Sequence, residues 1–205
     1  MITILNHPLV QNDLRILRDE ISGTEAFRNA AYRIGIHLAV SSTDDLAVDI
    51  IDVKTPMEIT SGAVIRGKVV IVPVLRAGLG LVSAFQTVYP ECVLGYIGLR
   101  RNEVTFEAEE YYFSMPQINP DDKVILLEIM LATGGSTSAA INKLQLEGVS
   151  DMTIVSVISA PEGVDKIRTS FPKIRIITAA LDRELNQKKY IMPGLGDAGD
   201  RYSGV

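Results

Sequence analysis

The stretch from Val124 to Ser138, which reads VILLEIMLATGGSTS, constrains the fold more than any other part of the chain. It begins with four apolar residues, and a continuous apolar run is typical of a strand buried on both faces of a parallel sheet. Glu128 follows the run, and the small polar cluster from Thr133 to Ser136 precedes residues with helical spacing. The pattern therefore predicts a strand, a glycine-containing loop and a helix, which is the repeating unit of an α/β fold.

The loop of this unit has the composition of a phosphate site. Glycines let the backbone turn tightly and approach a ligand, and the N–H groups at a helix N-terminus attract anions. The hydroxyls of Thr133, Ser136 and Thr137 are candidate donors to phosphate oxygens. Glu128 is placed at the carboxyl end of the strand, where open α/β sheets bind ligands, and its carboxylate suits two sugar hydroxyls or a metal ion. For the string TGGS alone, the alternative is an ordinary strand–loop–helix connection with a Ser/Thr cap.

Apolar runs alternate with helical patterns over most of the chain. The runs are residues 68–75, 92–99, 124–127, 152–159 and 174–181, and the helical patterns are residues 9–21, 24–38, 80–88, 139–147 and 161–170. From Lys68 onward this alternation predicts a mostly parallel sheet with helices on both faces. Residues 46–53 alternate apolar and acidic side chains, which predicts a half-exposed strand. Residues 103–117 combine acids with Tyr111 and Tyr112 and are interpreted as a protruding hairpin or flap, whose tyrosines either pack in a dimer interface or close over a ligand.

Composition limits the classes of partner. The chain has 205 residues, of which 47% are hydrophobic, and a net charge of −5, so it can form one α/β domain with a full core. A mildly acidic chain argues against a nucleic-acid binder with a broad basic surface. Cys92 is the only cysteine, which excludes an intrachain disulfide and a thiol cluster for zinc. With no signal-peptide pattern and no apolar run long enough for a membrane span, the sequence predicts a cytoplasmic protein.

Arginines at the ends of two predicted strands are further candidates for an anion site. Arg76 stands between the run 68–75 and the glycines of AGLG, where a guanidinium with N–H groups beside it can bind a pyrophosphate. A capping arginine on a loop is the alternative. Arg100 and Arg101 follow the run 92–99 and form either a local anion site or a solvated pair facing Glu103.

A glycine-rich string near the end of the sequence could indicate dinucleotide binding. Gly194, Gly196 and Gly199 match G-x-G-x-x-G, but that fingerprint needs a strand before it, a long helix after it and an acid about twenty residues on. Six residues follow Gly199, which argues against a dinucleotide-dependent oxidoreductase. A backbone-rich loop that recognises a planar base is the better interpretation.

These stretches resemble type I phosphoribosyltransferases and, among them, uracil phosphoribosyltransferase. The apolar run, the acid and ATGGS resemble the phosphoribosyl pyrophosphate (PRPP) motif, while VPVLRAGLG and YIMPGLGDAGDR resemble signatures of the uracil enzymes. HPLVQ, EYYFSMP, APEG and TAALD extend the resemblance, in the order usual for the family, over almost the whole chain. The implied fold is a single type I phosphoribosyltransferase-like domain over residues 1–205. It has a mostly parallel central sheet, helices on both faces and a protruding β-hairpin or flap.

The resemblance implies transfer of ribose 5-phosphate from PRPP to N1 of uracil, which gives uridine monophosphate (UMP) and pyrophosphate. The ribose C1 passes through an oxocarbenium-like state, so the chemistry needs a stabilised leaving group rather than a protein nucleophile. Mg²⁺ is the implied cofactor, held mainly by PRPP, with Asp197 as the protein group that orients it. The implied assembly is a homodimer or a higher homo-oligomer, and GTP is left open as an effector. Neither nucleic acid nor a membrane is implied.

The resemblance also implies site residues. The implied catalytic residues are Arg76, Arg101, Glu128 and Asp197. The implied PRPP-binding residues are Arg76, Arg101, Glu128, Ile129, Met130, Leu131, Ala132, Thr133, Gly134, Gly135, Ser136 and Asp197. The implied uracil-binding residues are Ile191, Gly196, Asp197 and Ala198, because backbone groups can complement the acceptor–donor–acceptor edge of uracil and exclude cytosine. The Leu75–Arg76 peptide is implied to be strained or cis.

Several residues depart from the pattern usual in that family. Where Asp-Pro usually precedes MLATGGS, this chain has Glu128 and Ile129, and the longer carboxylate moves the ribose contact by about one methylene. Arg100 and Asn102 stand in a run that usually reads Tyr-Arg-Asp-Glu, and Ser203 replaces a common phenylalanine. The alternative function is therefore a non-catalytic or weakly active nucleotide-binding regulator of the same fold. A transferase for another base is a further alternative, which the well-matched base loop disfavours.

Overall fold

The computed structural model of the protein describes residues 1–101 and 108–205, without the side chains of residues 101 and 108. Within these residues the helices are α1 (Pro8–Arg18), α2 (Thr24–Ser42), α3 (Leu79–Val88), α4 (Gly135–Leu146), α5 (Pro161–Ser170) and α6 (Ala198–Ser203). The strands are β1 (Ile2–Ile4), β2 (Val48–Lys54), β3 (Ile59–Ile65), β4 (Val69–Leu75), β5 (Val93–Leu94), β6 (Tyr96–Arg101), β7 (Ala108–Ser114), β8 (Lys123–Leu131), β9 (Met152–Ser159), β10 (Arg175–Leu181), β11 (Glu184–Leu185) and β12 (Ile191–Met192). No described helix is long and apolar enough to span a bilayer.

The main sheet has the strand order β1-β10-β9-β8-β4-β6-β7, and β5 pairs with β4. Neighbouring strands run parallel except for β6 and β7, which are antiparallel. The predicted mostly parallel sheet is therefore confirmed. The central strand β8 is buried from Lys123 to Ile129, as its continuous apolar run indicates.

Helices cover both faces of the sheet, as predicted. On one face α1, α2 and α3 contribute to a core cluster, and the predicted helical pattern at residues 24–38 places Phe27, Ala31, Ile34 and Leu38 in it. On the other face α4 and α5 contribute Ile141, Leu144, Val164 and Ile167 to a second cluster. Burial of these apolar stripes against the sheet is the main source of the fold's stability.

The largest difference from the sequence prediction is the hairpin of β2 and β3, which pair with each other and form a separate two-stranded sheet. The predicted half-exposed strand at residues 46–53 is wrong about burial, since Ile50 is 71% and Ile51 46% exposed on alternate faces. The partner strand β3 was not predicted. Among the described residues, none of its apolar side chains is part of either core cluster, and Ile59 is 68% exposed, so an argument from burial could not find this strand. The short elements β1, β11, β12 and α6 were also not predicted.

The predicted hairpin at residues 103–117 is present but begins earlier, because β6 is its first strand and pairs with β7. Residues 102–107, including Asn102, lie outside the described part of the chain. Tyr111 and Tyr112 are each 49% exposed. The Nζ of Lys143 on α4 lies 4.3 Å from the ring centroid of Phe113 on β7, a cation–π contact that joins this hairpin to α4.

One buried hydroxyl in β9 predicts a stabilising substitution. Thr153 is fully buried, and its Oγ1 has no hydrogen-bond partner among the described residues. We expect Thr153→Val to raise the free energy of unfolding by about 1 kcal/mol, because valine has the same shape and removes an uncompensated polar group. Urea unfolding checks this, with Thr178→Val as the control. Thr178 is equally buried, but its hydroxyl contacts Ser159 and the carbonyl of Ala180, so the control should be destabilised. A loss of stability in Thr153→Val would contradict the prediction.

Candidate active site

A cavity of about 230 Å³ opens where β4 and β8 end. Its lining comprises residues 74–78 at the end of β4 and in the loop after it, Leu99 of β6, residues 128–130 of β8, and residues 132–137 in the loop before α4 and its first turn. The structure thus brings the loop of Arg76 and the loop with TGGS, which are far apart in the sequence, to one cavity. Both follow parallel neighbouring strands, so their carboxyl ends meet at the same edge of the sheet.

The loop before α4 is shaped by Gly134, whose φ is +70°. This left-handed conformation favours glycine, and a Cβ there would lie 3.1 Å from the carbonyl oxygen of Gly163. The turn directs the chain into α4, which begins at Gly135. The first-turn N–H groups of a helix have no intrahelical partner, and they attract an anion. Thr133 and Ser136 are exposed beside them, where their hydroxyls are available to the same anion.

Thr137 has a different role from the one predicted. Its side chain is 1% exposed, and its hydroxyl donates a hydrogen bond of 2.8 Å to Oε2 of Glu128. The prediction that this hydroxyl contacts a phosphate is therefore wrong for the described structure. Sequence reasoning missed the pair because a threonine beside glycines suits either acceptor.

Glu128 lies inside β8, because the strand continues beyond the apolar run to Leu131. Burial raises the pKa of Glu128 to about 7, and the hydrogen bond from Thr137 opposes that rise only in part. Among the described residues, Thr137 is the sole hydrogen-bond partner of this carboxylate. Its second oxygen is therefore available to a ligand in the cavity.

Residues that follow Glu128 divide between the cavity and the core. Ile129 is 2% exposed, yet it lines the cavity together with Met130 and Ala132. Leu131 is outside the lining. Its side chain is fully buried in the core, and its carbonyl accepts a hydrogen bond from the N–H of Ala160.

The arginine loop begins with a cis peptide between Leu75 and Arg76, which confirms the expectation for this bond. Arg76 is exposed and lines the cavity. Gly78 is buried where a Cβ would collide with backbone atoms of Val74 and Leu127, so the loop packs closely against β8. Arg101 ends β6, the other neighbour of β4, and its side chain lies outside the described part. Arg100 is paired across the hairpin, with Nε 3.3 Å from Oε2 of Glu109.

A second cavity, of about 280 Å³, is lined by Met130, Ala132 and residues 189–196. We call residues 189–196 the base loop. Of the predicted uracil-binding residues, Ile191 and Gly196 line this cavity, whereas Asp197 and Ala198 do not. Ala198 is fully buried, and the carboxylate of Asp197 accepts a hydrogen bond of 3.0 Å from the N–H of Asp200 as the N-cap of α6.

The two cavities adjoin, since Met130 and Ala132 line both. Two side chains that contact the base loop, Arg18 and Asp182, had no role in the sequence prediction. The string TAALD, which ends at Asp182, belongs to the family pattern, but its residues alone indicated no function for the aspartate.

The residues of the first cavity fit a magnesium ion that arrives with its substrate. In the described ranges, no group of three or more His, Cys, Asp or Glu residues is placed to hold a metal. Among the described residues that line the cavity, Glu128 is the carboxylate. Mg²⁺ usually keeps several waters and takes one or two carboxylates together with substrate phosphates, so a pyrophosphate would complete the ligand set.

The parallel sheet, the TGGS loop at a helix N-terminus, the acid on the preceding strand and the neighbouring arginine loop together define a type I phosphoribosyltransferase. The fold agrees with that class. A hypoxanthine phosphoribosyltransferase variant from Trypanosoma cruzi, solved with the product IMP, superposes with a TM-score of 0.53 at 12% identity, covering 77% of this chain and 75% of that one. A protein from Aquifex aeolicus superposes with a TM-score of 0.94 at 32% identity, covering 100% and 99%.

A sequence model described as uracil phosphoribosyltransferase matches residues 4–204. The chain belongs to the uracil phosphoribosyltransferase family. A relative of that name from Corynebacterium efficiens is 44% identical over 203 residues, which are 99% of this chain and 96% of the relative. Another, from Dictyoglomus thermophilum, is 42% identical over 206 residues and is covered completely, as is this chain.

Proposed function

We propose that the protein transfers ribose 5-phosphate from PRPP to N1 of uracil and releases UMP and pyrophosphate. The observation that carries the proposal is the junction of the two cavities at Met130 and Ala132. A nucleotide has a phosphate and a ribose at one end and a base at the other, and the joined cavities offer an anion site beside a loop-lined pocket. The names of the relatives, uracil phosphoribosyltransferase, support uracil as the base.

The phosphate and the ribose of PRPP are assigned to the loop before α4 and to Glu128. The N–H groups of the first turn of α4, with the hydroxyls of Thr133 and Ser136, bind the 5-phosphate. The oxygen of Glu128 that Thr137 does not occupy accepts hydrogen bonds from ribose hydroxyls. Two departures from the family pattern are compatible with this role, because Glu128 still lines the cavity and Ile129 is buried.

The pyrophosphate is assigned to Arg76 and Arg101. As the bond between C1 and the pyrophosphate breaks, negative charge grows on the leaving group, and guanidinium groups at that position stabilise it. A magnesium ion bound with PRPP would supply further positive charge to the leaving group. The role of Arg76 is supported by its position in the cavity, whereas that of Arg101 is proposed from the family resemblance.

Uracil is assigned to the second cavity. Backbone groups of Ile191, Gly196 and Ala198 complement the edge of the base, and Asp197 lies between base and ribose in this proposal. Ile191 and Gly196 are supported by their place in the lining. The N-cap bond of Asp197 fixes one carboxylate oxygen and leaves the other for the bound substrate.

We propose a homodimer or a larger homo-oligomer as the assembly. The hairpin of β2 and β3 supports it, because Ile50 is 71%, Met57 92% and Ile59 68% exposed, and contiguous apolar surface commonly marks a protein interface. Light scattering would show the mass, and a monomer at micromolar concentration would contradict the proposal. GTP as an effector and a cytoplasmic location remain predictions from the sequence.

The experiment that tests the function is a product assay. Purified protein is incubated with PRPP, magnesium and uracil, cytosine, hypoxanthine or orotate in separate reactions, and nucleotide products are separated by chromatography. UMP from uracil supports the proposal, and product from a different base would move the function to a related transferase. If no base gave product while PRPP or UMP still bound by calorimetry, the result would favour the regulator alternative.

A further inference from the structure

The base loop is connected to α1 by an ion pair in which the aspartate is buried and the arginine is 27% exposed. Asp182, which follows β10, is 7% exposed and forms a bidentate contact with Arg18 at the end of α1. The Nη2 of Arg18 lies 2.5 Å from Oδ1, and its Nη1 lies 2.9 Å from Oδ2. The two residues are 164 positions apart in the sequence.

The same pair occupies both backbone polar groups of Gly194 in the base loop. The N–H of Gly194 donates a hydrogen bond of 2.9 Å to Oδ2 of Asp182, and its carbonyl accepts one of 2.9 Å from Nη1 of Arg18. Gly194 has a φ of +68° and is buried. The guanidinium of Arg18, the carboxylate of Asp182 and the backbone of Gly194 therefore form a closed ring of hydrogen bonds, which fixes Gly194 relative to α1.

A second arginine ties the next residue of the loop to the same end of α1. Arg201 donates to the carbonyl of Leu195 at 2.8 Å, to that of Asp19 at 2.6 Å and to that of Leu17. Its guanidinium also lies 4.6 Å from the ring centroid of Phe27. The C-terminal turn of α1 is thus the element against which the middle of the base loop is held.

We propose that Arg18 and Asp182 are positioning residues for base recognition. Neither side chain lines the base cavity, so they act through Gly194 and not on the substrate. The inference rests on the proposed function, since it takes the second cavity as the site of uracil. Backbone groups can distinguish uracil from cytosine only if they are held at hydrogen-bonding distance, and small displacements of positioned groups cost large factors in rate.

Stability alone does not account for this pair. Exposed ion pairs usually stabilise a protein little, and buried ones contribute little more than well-packed apolar side chains of the same volume would. The chain also contains a matched pair for comparison. Arg33 on α2 makes a bidentate contact with Asp13 on α1, at distances down to 2.6 Å, and Asp13 is 3% exposed. Within the described ranges, the side chains of that pair form no hydrogen bond with the base loop.

The test compares Arg18→Ala and Arg18→Lys with Arg33→Lys. Initial rates are measured with uracil varied at saturating PRPP, and with PRPP varied at saturating uracil. We expect both Arg18 variants to raise the KM for uracil by about tenfold or more, with less than about a twofold change in the KM for PRPP. The preference for uracil over cytosine should fall as well. Arg33→Lys should leave both KM values unchanged.

A merely structural role for the pair would give other results. Equal changes in both KM values, no change in either, or the same shift in Arg33→Lys would overturn the inference. If Arg18→Ala does not fold, as shown by thermal unfolding, Arg18→Lys carries the test, because lysine retains one of the contacts. If the wild type forms no UMP, the proposed function fails and this inference with it. If the wild type forms UMP while the Arg18 variants retain their KM for uracil, this inference alone fails.

Discussion

Replacing Arg76 by alanine should lower turnover by about 10²- to 10³-fold, with little change in stability. The large effect is expected because Arg76 lines the cavity to which we assign the leaving pyrophosphate, where its guanidinium would stabilise the developing charge. Stability should change by less than about 0.5 kcal/mol, because the side chain is exposed. Steady-state rates at saturating uracil and thermal unfolding of the same samples measure both effects.

A matched control for Arg76 is Arg168→Ala. Arg168 is exposed in the last turn of α5 and lines neither cavity of the candidate site. Arg168→Ala removes the same charge from the protein as Arg76→Ala, so a general electrostatic effect would appear equally in both variants. If turnover of Arg76→Ala stays within about threefold of the wild type, the proposed contact with pyrophosphate is wrong.

Glu128→Gln should weaken catalysis and stabilise the fold at the same time. In the proposed site the carboxylate accepts hydrogen bonds from the ribose hydroxyls, so its loss should lower kcat/KM for PRPP by about 10- to 100-fold. In the folded protein the pKa of this carboxyl is about 7, above its ordinary value of 4.5. The folded state therefore holds the proton more tightly than the unfolded state, and wild-type stability falls as the pH rises from about 4.5 to about 7.

The pH dependence of stability distinguishes the titration of Glu128 from a simple change in packing. Above pH 7 the buried charge lowers wild-type stability by its full amount, which for a pKa shift from 4.5 to about 7 is about 3 kcal/mol, so Glu128→Gln should be more stable there by about that amount. Below the unfolded-state pKa the two proteins should differ little. Denaturant unfolding from pH 4.5 to 8 measures the difference. A constant difference across that range would show that Glu128 does not titrate as described.

Thr137→Val provides a second variant for the same question. Removing the hydroxyl that stabilises the carboxylate should raise the pKa of Glu128 further. The pH at which stability is lost should then be higher. The pH at which kcat/KM for PRPP rises, which reports the ionisation of the free enzyme, should increase as well. Because valine matches threonine in shape, a pH profile that does not move would contradict the role given to this hydrogen bond.

The elements that the sequence predicted best are those whose local chemistry agrees with their tertiary role. Strand β9 and helix α5 have the predicted bounds, because a continuous apolar run ends at Ser159 and Pro161 stands at a position that suits a helix start. The loop at Gly134 was also predicted, because its glycines permit the tight turn and its small polar residues are typical of the connection between a strand and a helix. The position of Arg76 at the cavity was predicted because an arginine between a buried strand and glycines stands where a parallel sheet binds ligands. Its contact with pyrophosphate stays a prediction.

What the sequence did not predict depends on contacts between distant segments. The ion pair of Arg18 and Asp182 joins the two ends of the chain, and neither residue is unusual in its local context. Thr137 could donate to a phosphate or to Glu128, and only the burial of both side chains decides between them. Strand β3 has neither a buried face nor a strict alternation, so it lacks the signal on which strand prediction relies.

The shared wall of the two cavities affects how tightly the product is bound relative to the free base. Since Met130 and Ala132 border both cavities, UMP would occupy them as one covalently joined ligand, whereas uracil occupies one alone. When two ligand halves are covalently joined, binding of one half holds the other near its site. The effective concentration of that second half then far exceeds the concentration of a free molecule. If the proposed assignment of the two cavities holds, we expect UMP to bind more tightly than uracil, and accumulated UMP to inhibit its own synthesis.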